Sequence, residues 1–162
     1  MAVHKLYIEE FEEEDYHLIA IHTPLEEYRL AYFLNRNLGI RLYKSHLDIQ
    51  SQVKEGATSF IRYTFEDEKN VIKWDLIQNK NEVLGSENEA SQDLFSNTKN
   101  TFSSSAYLLP EYKKVDFFLK IGNTMNEINK SEIVSKISEI DSLTLVYAVD
   151  KDKIKSKNNL IF

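Results

Sequence analysis

Residues 108–121 contain the feature that most constrains the fold, a proline followed closely by the most apolar strand in the sequence. Pro110 fixes its own φ and pushes Leu109 toward extended backbone, so the chain approaches the strand from a defined direction. At period two, one face of this strand carries Val115, Phe117, Leu119 and Ile121, and the other carries Asp116, Phe118 and Lys120. Because Phe118 makes the second face partly apolar, we predict that residues 115–121 form the centre of a sheet.

The sequence LPEYKKVDF at residues 109–117 resembles the signature of a bacterial family, found mainly in Bacteroidetes, that is named for its motif IPExxxVDY. The matching residues are Pro110, Glu111, Val115 and Asp116. Leu109 replaces the isoleucine of the motif and Phe117 its tyrosine, so any role of that phenol hydroxyl is lost here. Residues 28–35, 78–80 and 155–162 are also similar to the family. The resemblance implies a cytoplasmic protein without assigned activity, whose gene lies near those for ribonuclease III and pyruvate kinase.

The size and composition of the chain fit one domain over residues 1–162. Its 162 residues, 42% of them hydrophobic, suffice for one core and are too few for two. Nine Phe and nine Tyr against four Gly and two Pro indicate an aromatic, strand-rich interior with few tight turns. Because the chain has no cysteine, disulfides, thiolate nucleophiles and Cys-based zinc sites are excluded.

The charge pattern limits the classes of partner that we expect the chain to bind. A formal net charge of −6 argues against a general nucleic-acid binder, since phosphate contacts need clustered Lys and Arg. The acidic run at 9–15 and the lysine-rich run at 151–157 are typical of solvated loops or strand ends. The first residues lack the apolar core of a signal peptide, and no run approaches the roughly 18 apolar residues of a membrane span. We therefore expect a cytoplasmic protein without membrane contact, whose oligomeric state the sequence leaves open.

The first part of the chain reads as a hairpin followed by a helix. Residues 5–12 and 15–22 are predicted strands joined by the acidic run, and the second strand is apolar enough to be buried on both faces. Thr23, Pro24 and Glu26 form the pattern of a capping box with a proline start. The predicted helix ends at Gly39, which readily adopts a left-handed C-terminal conformation. On this helix, Asn35 and Arg29 are the polar residues whose side chains we expect neighbouring residues to hold in place.

The middle of the chain is predicted to contain a strand, a hairpin and a long loop. Residues 40–49 read as a strand, and residues 61–65 and 72–76 as a hairpin with Lys and Arg opposite Asp and Glu on its outer face. Residues 81–106 are rich in Ser, Asn and Glu. We expect a polar surface loop there, with one helical turn near 91–95.

The last part is predicted to hold a second helix, a strand and a docked end. Residues 131–140 carry isoleucines at helical spacing, and residues 143–149 form the last long strand. A short helical turn is expected after Asp150. The final residues, Leu160, Ile161 and Phe162, are too apolar for a solvated tail, so we expect this segment to dock on the core.

These elements predict an α+β fold with an antiparallel sheet and two main helices. Residues 17–44 and 116–149 each read as strand, helix, strand, and the hairpin at 60–77 lies between them. This order is compatible with a ferredoxin-like sandwich that carries an added hairpin. The alternative is a longer antiparallel sheet that curls around the first helix.

The sequence lacks recognisable catalytic motifs, and we predict no cofactor and no metal site. It has no glycine-rich nucleotide loop, nucleophile elbow, zinc-protease motif or calcium loop, and its four histidines show no helical ligand spacing. Glu111 and Asp116 are the most interesting carboxylates, because they flank the central strand. Each is explained by a structural role, as a cap or as a buried hydrogen-bond acceptor, or by acid–base work in a pocket.

Two classes of function are open. The first is a non-enzymatic cytoplasmic interaction module with a protein partner; the gene setting implied by the family makes it an accessory to RNA processing or translation. The second is a small-ligand-binding regulatory domain, or a small enzyme, that uses the face around Glu111, Asp116 and Arg29. A concave pocket lined by these residues would favour a ligand, and a flat aromatic patch would favour a partner.

Overall fold

The computed structural model describes residues 15–53, 56–86, 101–122 and 128–162, and it shows an α+β fold. The elements are, in chain order, β1 Tyr16–His22, α1 Glu27–Leu38, β2 Tyr43–Lys44, β3 Ile49–Val53, β4 Gly56–Phe60, β5 Arg62–Asp67, β6 Ile72–Gln78, β7 Lys80–Ser86, β8 Thr101–Tyr107, β9 Phe117–Gly122, α2 Lys130–Ser138 and β10 Leu145–Ala148. Short 3-10 helices occupy Pro110–Tyr112, Lys151–Lys153 and Lys157–Leu160. No helix in the described part of the chain is long and apolar enough to cross a membrane.

Six strands form one antiparallel sheet in the order β10-β1-β9-β6-β5-β2, and β3-β4 and β7-β8 form two small hairpin sheets. Strand β9 pairs with β1 on one side and with β6 on the other, so that Leu119 lies opposite both Ile19 and Leu76. The prediction that this strand lies at the centre of the sheet is confirmed.

One face of the sheet is covered by the two helices. Alternate residues of β1, β6 and β9 share an apolar cluster with residues of α1 and α2. The fully buried side chains in it include Ile19, Ile21, Leu30, Leu34, Leu119, Ile121 and Ile137. Tyr63 and Phe65 of β5 and Ile72, Trp74 and Leu76 of β6 also lie on this face, with Trp74 opposite Phe65.

The other face is covered by the small hairpins and by the C-terminal residues. Its apolar cluster contains Leu18 and Ala20 of β1, which confirms that β1 is buried on both faces. Side chains from both hairpins and from the last residues join them, among them Phe60, Val83, Ala106, Ile154 and Leu160. We call residues 150–162 the C-terminal segment. The predicted docking of this segment is confirmed, because Leu160 is buried, although Ile161 is exposed.

Val115 does not lie on the face that its spacing predicts. The regular strand begins only at Phe117, and Val115 packs in the second cluster while Phe117 packs in the first. The cause is local, because the 3-10 helix at Pro110–Tyr112 turns the backbone just before the strand. Strict alternation therefore holds only from Phe117 onward.

Helix α1 begins later than the predicted capping box. Its first residue is Glu27 and its N-cap is Glu26, which makes no side-chain capping bond. The Thr23 hydroxyl instead accepts from the amide of Leu25 at 3.1 Å and donates to the carbonyl of Ser142 at 3.1 Å. Thr23 thus closes a turn between β1 and the helix. The predicted end of the helix is confirmed, since Gly39 has a φ of 67°.

The strand predicted at 40–49 is mostly irregular. Ile49 is the first residue of β3, and Tyr43–Lys44 is a strand that forms one edge of the sheet by pairing with β5. Before it, the amide group of Asn35 bonds both backbone groups of Leu42, at 2.7 and 3.1 Å. The prediction that neighbours fix Asn35 is confirmed. These bonds hold the chain at Leu42 close to the end of the helix.

The expectation of a polar loop at 81–106 was wrong at both ends. Residues 81–86 and 101–106 belong to the paired strands β7 and β8, with Val83 opposite Ser104. Serine and asparagine are poor strand formers in isolation, but here Val83 and Ala106 are buried, and Ser103 and Ser105 are exposed on the opposite face of β8. The predicted turn at 91–95 and the predicted strand at 5–12 lie outside the described residues.

The predicted elements near the C-terminus are present, with shorter bounds. Helix α2 begins after Asn129, whose side chain accepts from the amide of Glu132 at 3.1 Å. Strand β10 forms the second edge of the sheet by pairing with β1. The Asp150 carboxylate accepts from the amide of Asp152 at 3.1 Å, which confirms the predicted short helical turn after Asp150.

Candidate functional site

The loop before β9 is held by Asn79, a fully buried residue that follows β6. Its side-chain nitrogen donates to the carbonyls of Tyr112 and Val115, both at 2.9 Å, and its side-chain oxygen accepts from the amide of Leu109 at 2.9 Å. Its backbone amide also donates to the carbonyl of Asp116 at 2.9 Å. One asparagine therefore sets the path of the family-like stretch at residues 109–117.

Asp116 ties this stretch to the turn after β1. Its Oδ2 atom accepts from the backbone amide of Thr23 at 2.8 Å, and its own amide donates to the carbonyl of Ile21 at 3.2 Å. The carboxylate is half-buried and joins the start of β9 to the end of β1. This geometry matches the structural role considered for Asp116 in the sequence.

Glu111 ties the same stretch to the C-terminal segment. Its Oε1 atom accepts from the amides of Lys155 and Ser156 at 2.7 and 2.8 Å, and its Oε2 atom accepts from the hydroxyl of Ser156 at 3.0 Å. Burial raises the pKa of the Glu111 carboxyl, but the hydrogen bonds from Ser156 and Lys155 outweigh it, so the pKa lies below its ordinary value. Glu111 is therefore ionised at neutral pH and is poorly suited to donate a proton.

Arg29 lies apart from the two carboxylates. It is exposed on helix α1, whereas Glu111 and Asp116 are half-buried in the loop before β9. Within the described residues, no hydrogen bond or ion pair joins the Arg29 side chain to either carboxylate. The three residues do not form one site.

A row of buried polar residues crosses the sheet on the face opposite the helices. In strand register, Thr64 of β5 lies opposite Asp75 of β6, and Asp75 lies opposite Lys120 of β9. All three residues are buried, with Lys120 only 5% exposed. Arg62 completes the cluster, because its Nε atom lies 2.8 Å from Oδ1 of Asp75. Three of these residues, Asp75, Lys120 and Arg62, carry charge, and the burial of charged groups lowers stability unless they are paired.

The C-terminal segment covers this row. The Nζ atom of Lys120 donates to the carbonyl of Leu160 at 2.8 Å. The ring of Phe162 lies close to two cations, with Cζ of Arg62 at 4.6 Å and Nζ of Lys120 at 4.8 Å from its centroid. Nζ of Lys120 also lies 5.1 Å from the ring centroid of Tyr16.

The sequence indicates that this face of the sheet is covered, but the alternation within single strands did not predict the buried polar row. Asp75 was assigned to the outer face of its hairpin, and outward charge normally indicates solvent, whereas Lys120 was placed on the second, partly apolar face of the central strand. Phe118 and Ile77 are apolar residues on those same faces, which indicates that the faces are covered. Charged residues that alternate with apolar ones on the second face of a central strand are therefore candidates for a buried site.

Helix α1 presents a different kind of surface. Tyr28 and Tyr32 are 56% and 62% exposed and lie one helical turn apart. Arg29 and Arg36 are exposed on the same helix. A hydrogen bond with Glu26 raises the pKa of the Tyr28 phenol. We call Tyr28, Arg29, Tyr32 and Arg36 the α1 face.

Two concave surfaces in the described part of the chain do not coincide with the predicted site residues. One shallow depression is lined by the β5-β6 turn, and a second, of about 410 Å³, is lined by His17, Lys130 and residues 148–152. Neither is lined by Glu111, Asp116 or Arg29. The residues that the structure describes contain no group of three or more His, Asp or Glu side chains placed to hold a metal ion.

Compared with models of protein families, with curated proteins and with solved structures, the chain gives no match. The resemblance of residues 109–117 to the IPExxxVDY family therefore stays a prediction.

Proposed function

We propose that the protein is a non-enzymatic interaction module that binds a protein partner through the α1 face. The observation that carries this proposal is the exposure of Tyr28 and Tyr32, at 56% and 62%, on a helix whose other side is buried in the core. Large aromatic side chains exposed side by side on a rigid helix are typical of a contact surface.

The composition of the α1 face supports binding rather than chance exposure. Tyrosine and arginine are the residue types that contribute most to binding energy at protein interfaces. A tyrosine buries a large ring at low entropic cost, and an arginine adds several hydrogen-bond donors to it. Arg36 also lies 5.5 Å from the ring centroid of Phe33, so part of the face is ordered before a partner arrives.

The positions of the two predicted carboxylates also support a non-enzymatic function. Asp116 and Glu111 accept hydrogen bonds from backbone amides, and they hold the turn after β1 and the C-terminal segment in place. A general acid or base needs a carboxyl that reaches a substrate with a suitable pKa. Burying a substrate against these carboxylates would break bonds that maintain the fold.

We further propose that four strands with the two helices form a ferredoxin-like frame. In support, β10, β1, β9 and β6 are adjacent in that order and antiparallel. Helix α1 lies between β1 and β6 in the chain, α2 lies between β9 and β10, and both helices contribute to the same apolar cluster. Strands β5 and β2 and the two small hairpins are then additions to this frame.

The resemblance of residues 109–117 supports a more specific proposal. If the chain belongs to the IPExxxVDY family, it acts in the cytoplasm, and its partner is a component of RNA processing or translation. In this case the chain contributes a protein contact and does not bind RNA directly, which agrees with its net charge of −6.

Site-specific photo-crosslinking in the native cell tests the α1 face. A photoreactive phenylalanine at Tyr32 is expected to capture a discrete protein, which mass spectrometry then identifies. The matched control carries the same group at Leu145, an exposed apolar residue on β10.

Binding of the captured protein is then measured with purified components. Tyr28→Ala and Tyr32→Ala should each weaken it by about tenfold or more, as expected for central interface residues, without lowering the melting temperature. Equal capture from positions 32 and 145, or unchanged affinity in both alanine variants, would refute the proposal.

A further inference from the structure

The α1 face lies in a basic stretch of an acidic chain. Residues 28–47 contain no Asp or Glu, although the net charge of the whole chain is −6. The basic residues of this stretch are Arg29, Arg36, Arg41 and Lys44. Three of the four arginines of the chain therefore lie here, and arginine is the residue type best suited to bond a carboxylate through two parallel hydrogen bonds.

The two cations of the α1 face have no acidic partner among the residues that the structure describes. Arg29 and Arg36 are both exposed, and neither forms an ion pair there. Nearby carboxylates are engaged elsewhere, since Glu26 is bonded to the Tyr28 phenol and Glu132 of α2 is paired within its own helix. The charge of both guanidinium groups is therefore available to a partner.

Lys44 adds a third cation on the same side of the sheet. It lies opposite Tyr63 in strand register, and paired residues point to the same face of a sheet. Because Tyr63 packs against the apolar cluster that α1 covers, Lys44 lies on that side too. Leu42, two residues earlier, is bonded to the Asn35 side chain of α1, which keeps Lys44 near the helix. We call the α1 face together with Lys44 the basic surface.

The basic surface fits the carboxylates of a protein better than the phosphates of a nucleic acid. Salt screens exposed charges beyond about 10 Å at about 0.1 M ionic strength, so a short acidic segment placed here interacts mainly with these three cations. An extended RNA strand would also pass the rest of an acidic chain, whose net charge repels it. The two exposed tyrosines offer ring area to apolar side chains, which a nucleic-acid backbone lacks.

We propose that the basic surface binds an acidic segment of a protein partner, in which apolar residues lie between Asp and Glu. The carboxylates bond Arg29, Arg36 and Lys44, and the apolar side chains cover the tyrosine rings. This inference rests on the proposed function of the α1 face and names the chemistry of its partner. Complementary charge of this kind speeds association, and the gain is largest at low ionic strength.

Mapping the photo-crosslink from position 32 onto the captured protein tests the chemistry of the partner. Digestion and mass spectrometry identify the partner peptide that carries the crosslink, and we expect Asp and Glu to outnumber Lys and Arg in it. A neutral or basic peptide would overturn the inference and leave the proposed function intact. Capture of RNA in place of a protein, or of no discrete product, would overturn both.

Charge reversal in the purified complex measures the ionic part of the binding. Arg36→Glu and Lys44→Glu should each weaken the affinity for the captured protein by about tenfold or more. Raising NaCl from about 0.05 M to about 0.5 M should weaken the natural complex as well. Lys80→Glu is the matched control, because Lys80 is an exposed cation on β7, over the other face of the sheet, and this variant should bind like the natural chain.

A second variant separates lost binding from lost folding. Arg36→Gln removes the charge without adding a carboxylate, and its affinity should lie between those of the natural chain and Arg36→Glu. Melting curves of all variants identify any that fold poorly. The inference is overturned if the folded variants at Arg36 and Lys44 bind as tightly as Lys80→Glu while Tyr32→Ala binds weakly, because the α1 face would then bind a partner without acidic contacts.

Discussion

The side-chain nitrogen of Asn79 lies 2.9 Å from the carbonyl oxygen of Val115, 36 residues further along the chain, and both residues are buried. This bond joins the end of β6 to the start of β9, two strands that pair along their length. Since the same amide group also bonds Leu109 and Tyr112, Asn79 fixes the whole loop between them.

Asn79→Ala should lower the free energy of unfolding by about 3 kcal/mol, because several buried backbone groups lose their partners at once. Chemical denaturation followed by tryptophan fluorescence is a suitable measurement, as Trp74 lies on β6. Asn158→Ala, at an exposed position of the C-terminal segment, is the matched control and should change stability by less than about 0.5 kcal/mol. Equal effects of the two substitutions would contradict the role of Asn79.

Sequence patterns were sufficient for the central strand and insufficient for the residues that fix it. The alternation of Phe117, Leu119 and Ile121 predicted a two-faced strand, and the sheet places it between β1 and β6. The bonds of Asn79 join residues 30 to 36 positions apart, and no local pattern encodes such contacts. Resemblance to the family marked the region at 78–80 but not the role of the side chain.

The C-terminal segment offers a comparison between neighbouring residues. Leu160→Ala should cost about 2 to 4 kcal/mol, because it leaves a cavity in the second apolar cluster. Ile161→Ala should change stability by less than about 0.5 kcal/mol, since its side chain is exposed. Thermal melting of the two variants checks this, and similar melting temperatures would show that the segment is not docked as described.

The bonds of Glu111 to the C-terminal segment should depend on pH. Its pKa is lower in the folded protein than its ordinary value of 4.5, so its contribution to stability is fully present above pH 4.5. The contribution is lost as pH falls through the lower, folded pKa. Glu111→Gln should therefore destabilise the protein at pH 7, and the difference from the natural chain should shrink below pH 4.5.

Parallel denaturation curves at pH 7 and at pH 3 measure this difference. Glu82→Gln serves as the control, because Glu82 is an exposed carboxylate on β7. A difference between Glu111→Gln and the natural chain that is as large at pH 3 as at pH 7 would rule out the ionised carboxylate as its cause.

The candidate site was less predictable than the fold. Glu111 and Asp116 were chosen because they flank an apolar strand, and their actual partners, Ser156 and Thr23, lie far away in the sequence. Asp75 was assigned to the outer face of its hairpin, because the pattern of one strand does not show what covers its second face. The covering elements, β7, β8 and the C-terminal segment, have compositions that are typical of loops.

Asp116→Ala tests most directly the central claim that residues 109–117 organise the fold. The substitution leaves the backbone amide of Thr23 without its acceptor, so the free energy of unfolding should fall by about 1 to 3 kcal/mol. Lys114→Ala, at an exposed position of the same loop, should leave it within about 0.5 kcal/mol of the natural chain. If Asp116→Ala is as stable as Lys114→Ala, the carboxylate does not hold the fold together and the claim is wrong.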